Sequence, residues 1–245
     1  MTPTESFISH LIELRDRLLR IVIGFFVVFV LFFPFANQIY ALLAAPLLSQ
    51  LPAGGQMIAT AVTTPFFVPL KVAMMAAFVV SLPHTLYQLW AFVAPGLYAH
   101  EKRFMVPMIV ASTLLFLSGM AFAYYLVFPV IFGFIVGSAP IGVAVMTDIG
   151  NYLDFVLTLF MAFGLAFEVP IAVVMAVRFG WVSRKALQEA RGYVIVGAFV
   201  IGAIFTPPDI ISQFMLAVPM WLLYELGIIV SKFTQRAEPK ILPPA

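Results

Sequence analysis

Six apolar segments run through this 245-residue sequence, and they limit the possible folds more than any other feature. A helix needs about 20 mostly apolar residues to cross about 30 Å of hydrocarbon. Four of the segments are close to that length or longer, at residues 18–36, 72–94, 104–135 and 152–177. Because 63% of the residues are hydrophobic and 10% are charged, one soluble core would not bury this much apolar surface. We therefore predict an all-α integral membrane protein, a single polytopic domain with six transmembrane helices over residues 1–245.

Unusual lengths distinguish some of these segments. The last two, at residues 194–205 and 210–230, predict a short final helical hairpin, because the first has 12 residues, or about 18 Å of helix. The pair Pro207-Pro208 ends that helix. The hairpin is re-entrant or lies beside a locally thin membrane, and the sequence leaves both open. The third segment is about 48 Å long as a helix, so it must tilt, kink at Pro129 or project from the membrane.

The N-terminal residues predict an amphipathic helix that leads into the first span. Residues 2–5, TPTE, fit a capping box with proline in the first turn. Apolar residues then recur every three or four positions up to Leu18, with charged residues largely on the other side. No clear small-residue cleavage site precedes Asn37, so we expect the first span to stay as an anchor rather than be removed as a signal peptide.

Basic residues are distributed unevenly along the chain. Twelve of the 13 Lys and Arg residues lie before the first span, after the sixth, or in the connections at 95–103 and 178–193. Lys71 alone belongs to the opposite side, close to a predicted outer loop at residues 37–69. The positive-inside rule places the side with more Lys and Arg in the cytoplasm. We therefore predict that both termini are cytoplasmic (N-in/C-in).

Motifs for catalysis or cofactor binding are absent from the sequence. It has no Gly-rich phosphate loop, no HExxH and no GxSxG, and its three histidines lack metal-ligand spacing. The lack of Cys excludes disulfides, Fe–S clusters and thiol chemistry. A net charge of +2 without a basic, aromatic-rich polar segment does not suggest a nucleic-acid partner. We predict no catalytic residues, metal or cofactor, and a protein that is not an enzyme and draws energy from a partner or an ion gradient.

Two acids at the membrane boundary stand among basic residues. Glu13 lies in HLIELRDRL (residues 10–18) and Glu101 in GLYAHEKR (residues 96–103). One interpretation is local ion pairing, for which Arg17 is correctly spaced at i+4 from Glu13. The other is that both carboxylates accept a cationic ligand, since a carboxylate binds a guanidinium through two parallel hydrogen bonds. The residues alone leave both interpretations open.

Glu168 is the acid that the fourth span carries near its middle, in MAFGLAFEVP (residues 161–170). An ionised carboxylate there costs about 2.5 to 3.5 kcal/mol on insertion scales. It is a neutral, hydrogen-bonded group inside the bundle, or it lines a polar transport path. Pro170 would also free a backbone carbonyl on the same helix.

Polar residues mark the final hairpin as well. Thr206, Asp209 and Gln213 would be costly in contact with lipid. They cap helix ends, as Asp209 would do for the sixth span, or form a patch that docks another transmembrane helix. On the second span, His84 and Gln88 are expected to be packing or interface residues.

Four motifs together suggest a family. HLIELRDRL, LPHTLYQLWAFVAPGLYAHEKR (residues 82–103), FEVP (167–170) and FTPPD (205–209) occur in order on the expected sides of the six spans. The chain resembles TatC, the multispanning subunit of the twin-arginine protein translocase, over nearly its whole length. The resemblance implies a receptor for the signal peptides of folded precursor proteins, which carry consecutive arginines. It further implies the single-span partners TatA and TatB, contact with membrane lipid, self-assembly into a multimeric receptor complex, and use of the proton-motive force. The implied location is a bacterial cytoplasmic (inner) membrane.

The resemblance also implies roles for particular residues. Glu13 and Glu101 would contact the twin arginines, with Arg15 and Phe92 nearby in the recognition region. Pro46 would support the outer loop.

Inside the membrane, Glu168 would line a concave groove, and Thr206 with Gln213 would belong to a docking site for a partner helix. A different class of function remains open, a proton- or ion-coupled small-molecule secondary transporter with Glu168 as the coupling group. A structural assembly factor for single-span proteins is a third possibility.

Overall fold

Helices make up most of the computed structural model, which describes residues 3–52, 55–93, 105–140, 146–206 and 210–234. The described part contains no β-strand, and one isolated bridge joins Ile58 to Asp148. The all-α class is thereby confirmed. In chain order the α-helices are α1 Pro3–Phe32, α2 Ala36–Leu48, α3 Thr64–Val93, α4 Met105–Phe122, α5 Phe128–Gly137, α6 Ile149–Phe167, α7 Val169–Arg178, α8 Arg184–Glu189, α9 Arg191–Phe205 and α10 Ile210–Thr234.

Five helical stretches of the described residues are long and apolar enough to cross a membrane. The chain is thus a multi-pass membrane protein. The fifth predicted span, at residues 194–205, corresponds to α9, whose 15 residues give about 22 Å of helix, less than the hydrocarbon thickness. The sixth crossing and the side on which the termini lie stay predictions. The stretches are Ile8–Leu48, Thr64–Phe92, Val106–Gly137, Ile149–Arg178 and Ile210–Phe233.

Helix boundaries differ most from the predicted ones around the outer loop at residues 37–69. A 3-10 turn at Phe33–Phe35 connects α1 directly to α2, and α3 begins at Thr64 rather than at residue 72. Only the middle of this region is therefore non-helical. Pro65 falls in the first turn of α3, where a backbone N–H would have no helical partner in any case, so the prolines that predict a loop are compatible with helix here.

Pro46 lies buried inside α2, where it cannot donate to the carbonyl oxygen of Leu42, four residues earlier. The hydroxyl of Tyr124 donates to that oxygen instead, at 2.8 Å. One residue along, the hydroxyl of Tyr152 donates to the carbonyl of Leu43 at 2.6 Å. Two tyrosines from later helices thus supply donors to α2 beside the proline.

The third predicted span consists of α4, a π-helical turn at Ala123–Val127, and α5. Pro129 follows this turn, lacks an N–H and has a ring that would clash with the carbonyl four residues before it. A π-turn widens the helix by one residue and moves that carbonyl away. The irregularity therefore lies just before Pro129, where the sequence places a possible kink.

The fourth predicted span is interrupted at Glu168, between α6 and α7. The Glu168 N–H donates to the carbonyl of Leu165 at 3.0 Å, a tightened turn, and the Glu168 carbonyl accepts from Ala172 at 3.0 Å. Pro170 sits in the first turn of α7, so the proline begins a new helix rather than breaking one.

The chain divides into two compact units, residues 1–161 and 162–245. In the first, Val68, Val72 and Leu153 form a buried cluster with partly buried neighbours on α2 and α6. In the second unit, Val173, Tyr224 and Ile228 form the corresponding buried cluster. Each unit is described separately below, and the single membrane domain stays a prediction.

Candidate ligand-binding site on the first unit

Close packing between α1 and α3 positions the candidate site. A Cβ atom on Gly24 would lie 2.9 Å from the ring of His84, so only glycine admits this approach. One turn earlier on α1, the carbonyl oxygen of Arg20 lies 3.2 Å from His84 Nε2, within hydrogen-bonding distance. The middle of α1 is thus packed against the C-terminal half of α3, with Glu13 two turns before Arg20.

Glu13 forms the ion pair that the i, i+4 spacing predicts. Arg17 donates to Glu13 Oε1 from both Nε (3.0 Å) and Nη2 (2.6 Å). Its third nitrogen, Nη1, lies 3.5 Å from Oε1 of Gln88 on α3. Gln88 is buried, and the Arg17 side chain is 19% exposed against 32% for Glu13. The pair therefore lies in the helix interface rather than in open solvent.

His10 links Glu13 to Phe92. The rings of His10 and Phe92 stack with centroids 4.3 Å apart and an angle of 21° between planes. His10 Nδ1 also lies 3.9 Å from Glu13 Oε2. The structure thus brings two of the four predicted signal-peptide residues, Glu13 and Phe92, into one surface patch, which we call the α1–α3 patch and define by His10, Glu13, Arg17, Gln88 and Phe92.

The other two predicted residues fare differently. Arg15 donates to its neighbour Asp16 from Nε (3.0 Å) and Nη2 (2.8 Å), and its side chain is 68% exposed. It has no recorded contact with Glu13 among the described residues. Glu101 lies outside the described residues, so its place relative to the patch stays a prediction.

Three members of this patch, His10, Arg17 and Gln88, were not predicted as site residues from the sequence. His10, Glu13 and Arg17 are spaced i, i+3 and i+7, which puts them on one face of α1, and this spacing is a signal that would have grouped them. Arg17 entered only as a possible partner of Glu13. Gln88 gave no such signal, because its proximity depends on the register between α1 and α3.

Asp148 forms a second polar site on the first unit, where residues 55–63 meet the start of α6. Its Oδ1 accepts from the N–H groups of Asn151 (3.0 Å) and Gly150 (2.9 Å), and Oδ2 accepts from the N–H (2.8 Å) and hydroxyl (2.7 Å) of Thr60. The Asn151 N–H and then the Thr60 donors lower the pKa of Asp148 to about 2. Beside it, Lys71 Nζ pairs with Asp154 at 2.5 Å.

These residues line a polar pocket of about 360 Å³. The N–H of Ile58 donates to the carbonyl of Thr147 (3.0 Å), and the N–H of Ile149 donates to the carbonyl of Ile58 (2.9 Å). These bonds also connect residues 55–63 to the start of α6. Among the described residues, no group of three or more His, Cys, Asp or Glu side chains is arranged to hold a metal ion.

Candidate membrane-helix sites on the second unit

Glu168 is half-buried at the break between α6 and α7, within an otherwise apolar stretch. Its backbone caps α7, as described above, and the residue lies inside the apolar stretch Ile149–Arg178 rather than at its end. The structure thus gives Glu168 a local reason for its position, the helix break before Pro170, which the sequence alone suggests only through the proline.

The final hairpin holds both predicted docking residues. Gln213 Nε2 donates to the carbonyl of Phe199 at 2.9 Å, which ties α10 to α9. The Thr206 hydroxyl donates to the carbonyl of Gly202 at 2.8 Å. A Cβ on Gly202 would lie 3.1 Å from the Gln213 side chain. Gln213 therefore connects the two helices and Thr206 caps the end of α9, while Asp209 lies outside the described residues.

An apolar groove of about 600 Å³ lies on α10 next to these residues. Its lining includes the exposed side chains of Ile210 and Phe214. Farther along α10, Glu225 accepts two hydrogen bonds from Arg191, and the hydroxyl of Tyr224 donates to the carbonyl of Leu187 at 2.7 Å. The hairpin is thus fastened at both ends of α9 and leaves one apolar face open.

These features define an all-α, multi-pass membrane protein with a charged patch on one helix pair and a short final hairpin. A family model described as Sec-independent protein translocase protein (TatC) matches residues 9–219. The chain belongs to the TatC family, which confirms the resemblance seen in its motifs, and is a component of twin-arginine protein transport.

Relatives and solved structures agree with this assignment. The TatC protein of Escherichia coli (strain K12) is 54% identical over 230 residues, covering 94% of this chain and 89% of the relative. That of Aquifex aeolicus (strain VF5) is 37% identical over 235 residues, covering 95% and 97%. A crystal structure of the "Twin Arginine Translocase Receptor- TatC" is similar with a TM-score of 0.79 at 38% identity, covering 93% of this chain and 100% of that one.

Proposed function

We propose that this chain is the receptor subunit of a twin-arginine translocase and binds the signal peptides of folded precursor proteins. The observation that carries the proposal is the Glu13 carboxylate, which is partly exposed at the end of a packed helix pair and lies in one patch with an aromatic ring. A guanidinium is the cation best suited to such a carboxylate, because it offers planar, paired donors. Family membership supports the same assignment.

The proposed recognition site combines Glu13 and Phe92 with Glu101 and Arg15. In this proposal the two carboxylates receive the two arginines of the ligand. Phe92, already stacked on His10 at 4.3 Å, offers a ring face for an apolar or guanidinium group. Arg15 would act at the edge of the site, where its exposed position suits contact with the peptide backbone or with lipid.

The apolar part of the signal peptide would run along a groove near Glu168. Glu168 belongs to the apolar stretch Ile149–Arg178, and a polar group within a span is tolerated where it faces protein or water rather than lipid. If titration of Glu168 serves transport, Glu168→Gln will reduce export while leaving signal-peptide binding intact. Full export by this variant would exclude a proton-relay role.

The final hairpin would dock the single-span partners TatA and TatB. Support comes from the open apolar groove on α10 and from the short α9, beside which the membrane would be thin or distorted. Thr206 and Gln213 would act by holding the hairpin in shape. Energy would come from the proton-motive force, and several copies would assemble into one receptor complex.

The orientation belongs to the same proposal. Twelve of the 13 basic residues lie on the predicted cytoplasmic side, which supports a cytoplasmic α1–α3 patch that a precursor would meet before export. The protein would accordingly reside in the bacterial inner membrane with both termini in the cytoplasm, as the positive-inside rule predicts.

Photocrosslinking tests the proposal. A twin-arginine signal peptide with a photoreactive residue beside the arginine pair should crosslink to positions around Glu13 and Phe92 in membranes that contain the full chain. The double variant Glu13→Gln/Glu101→Gln should abolish the crosslink and leave membrane insertion unchanged. Asp154→Asn, which removes an acid on the opposite side, is the matched control. Persistent crosslinking in the double variant would refute the site assignment.

A further inference from the structure

We propose that Arg17 is a specificity-determining residue that competes from within the chain for the Glu13 carboxylate, so that only a ligand with two adjacent guanidinium groups binds well. This inference rests on the proposed receptor function. It concerns how the site rejects ligands with a single positive charge, which the receptor role by itself does not explain.

The geometry of the ion pair supplies the first step. Both Arg17 donors converge on a single oxygen, Glu13 Oε1, at 3.0 and 2.6 Å. The second oxygen, Oε2, has only His10 Nδ1 near it among the described residues, at 3.9 Å. A guanidinium binds a carboxylate most strongly through both oxygens. An incoming arginine can therefore use only Oε2 of Glu13 unless Arg17 moves away.

Charge supplies the second step. The Arg17 side chain is 19% exposed, so its positive charge is screened less by water than that of a surface arginine. A ligand cation at Oε2 would lie beside this charge and be repelled by it. A single arginine gains one weakened contact, whereas a pair adds a second contact at another acid, for which Glu101 is proposed. Arg17 therefore prevents a ligand with a single arginine from binding well, whereas a ligand with an arginine pair still binds.

Gln88 supplies the third step. Its side chain is buried at 5% exposure, and its Oε1 lies 3.5 Å from Arg17 Nη1. That distance is long for a hydrogen bond, so a modest movement of Arg17 away from Glu13 and towards α3 would shorten it. Gln88 is therefore the residue that would receive Arg17 when the ligand takes Glu13.

Binding measurements on the full chain in nanodiscs, with a synthetic twin-arginine signal peptide as the probe, test the inference. Arg17→Gln removes the charge but keeps a donor for Glu13, and it should tighten binding by about two- to fivefold, the upper part of the range for ion pairs that water can reach. It should also reduce the loss of affinity caused by replacing one ligand arginine with lysine.

Two matched controls separate charge from shape. Arg17→Lys keeps the charge and should not show the tightening of Arg17→Gln. Arg20→Gln removes the same charge one turn along α1, where the exposed side chain has no recorded contact with Glu13, and it should stay within twofold of the wild type. Tightening by either control equal to that of Arg17→Gln would overturn the inference.

A double-mutant cycle tests the role of Gln88. Gln88→Leu should weaken binding about two- to fivefold when Arg17 is present and have no effect in the Arg17→Gln background. Equal effects in both backgrounds would show that Gln88 acts independently, contrary to the inference.

The outcomes distinguish this inference from the receptor proposal. If the wild-type chain binds the twin-arginine peptide no better than a peptide with both arginines changed to glutamine, the receptor proposal fails and takes the inference with it. If the wild type discriminates between them and Arg17→Gln binds equally or more weakly, the inference alone fails. The thermal midpoint of each variant shows whether it is folded.

Discussion

Two carboxylates of the first unit, Asp148 and Glu13, show opposite ways of holding a negative charge. Asp148 accepts four hydrogen bonds through both oxygens, three of them from backbone N–H groups. Glu13 is held through one oxygen by one flexible side chain. A carboxylate saturated by fixed donors has nothing left to offer a ligand. One that is half-occupied by a movable partner keeps an acceptor and can exchange that partner.

The difference also follows from where the donors come from. The N–H groups around Asp148 belong to the first turn of α6, whose amides have no helical acceptors, and to the bridging residues 58–60. They are fixed by the backbone. The donors around Glu13 come from a side chain that loses rotamer freedom to make the contact. We therefore expect changes at Asp148 to affect stability and changes at Glu13 to affect binding.

The largest effect is expected at Glu13. Glu13→Gln removes the charge and keeps the shape, and it should weaken binding of a twin-arginine signal peptide by about 10- to 100-fold, which corresponds to about 1.5 to 3 kcal/mol for a hydrogen bond to a charged group. The thermal midpoint should change little. Peptide titration and thermal unfolding in detergent measure the two quantities. A large fall in the midpoint with binding retained would show that Glu13 serves stability rather than binding.

A stability effect is expected next, at Asp148. Asp148→Asn replaces one acceptor oxygen with an amide NH₂ that faces N–H or O–H donors, so about half of the hydrogen bonds are lost. The thermal midpoint in detergent should fall by several degrees, and signal-peptide affinity should stay within about twofold of the wild type. Loss of binding without loss of stability would show that the Asp148 site serves the ligand instead.

Lowering the pH should reduce the stability that the ionised Asp148 carboxylate gives the fold. The pKa of Asp148 is lowered from about 3.8 to about 2 in the folded state, so the ionised carboxylate stabilises the fold above pH about 4 and this contribution is lost as the pH falls towards 2. The difference in thermal midpoint between the wild type and Asp148→Asn should therefore narrow over that range. A constant difference from pH 5 to 3 would show that the charge of Asp148 is not responsible.

The parts of this fold that depend on local pattern were predictable from the sequence. Apolar length and helical periodicity identify the membrane helices, and proline positions mark the irregularities near Pro129 and Glu168. The outer region was harder, because Asn37 and Pro46 predict a loop while α2 remains helical there. The Leu42 carbonyl, which Pro46 leaves without its helical donor, accepts from the hydroxyl of Tyr124, 82 residues away in sequence, and no local pattern contains that information.

The candidate site divides in the same way. Glu13 and Arg17 are linked by helical spacing and could be predicted as a pair. Gln88 and Phe92 join them only through the packing of α3 on α1, which depends on the contact between Gly24 and His84. Arg15 stays a prediction, and its guanidinium donates to its neighbour Asp16. A residue type identifies a possible ligand contact, whereas tertiary register decides whether the side chain reaches the site.

The smallest effect is expected at Asp154, which tests whether the way a carboxylate is held matters more than its neighbourhood. Asp154 lies beside Asp148 on the polar pocket, yet like Glu13 it is held by one flexible side chain, that of Lys71. Both members of this pair are exposed, at 42% and 57%, and such pairs contribute about 0 to 1 kcal/mol. Asp154→Asn should therefore change the thermal midpoint by no more than about 2–4 °C, less than Asp148→Asn does. If the two variants lose equal stability, location in the pocket, and not saturation by backbone donors, explains the importance of these acids.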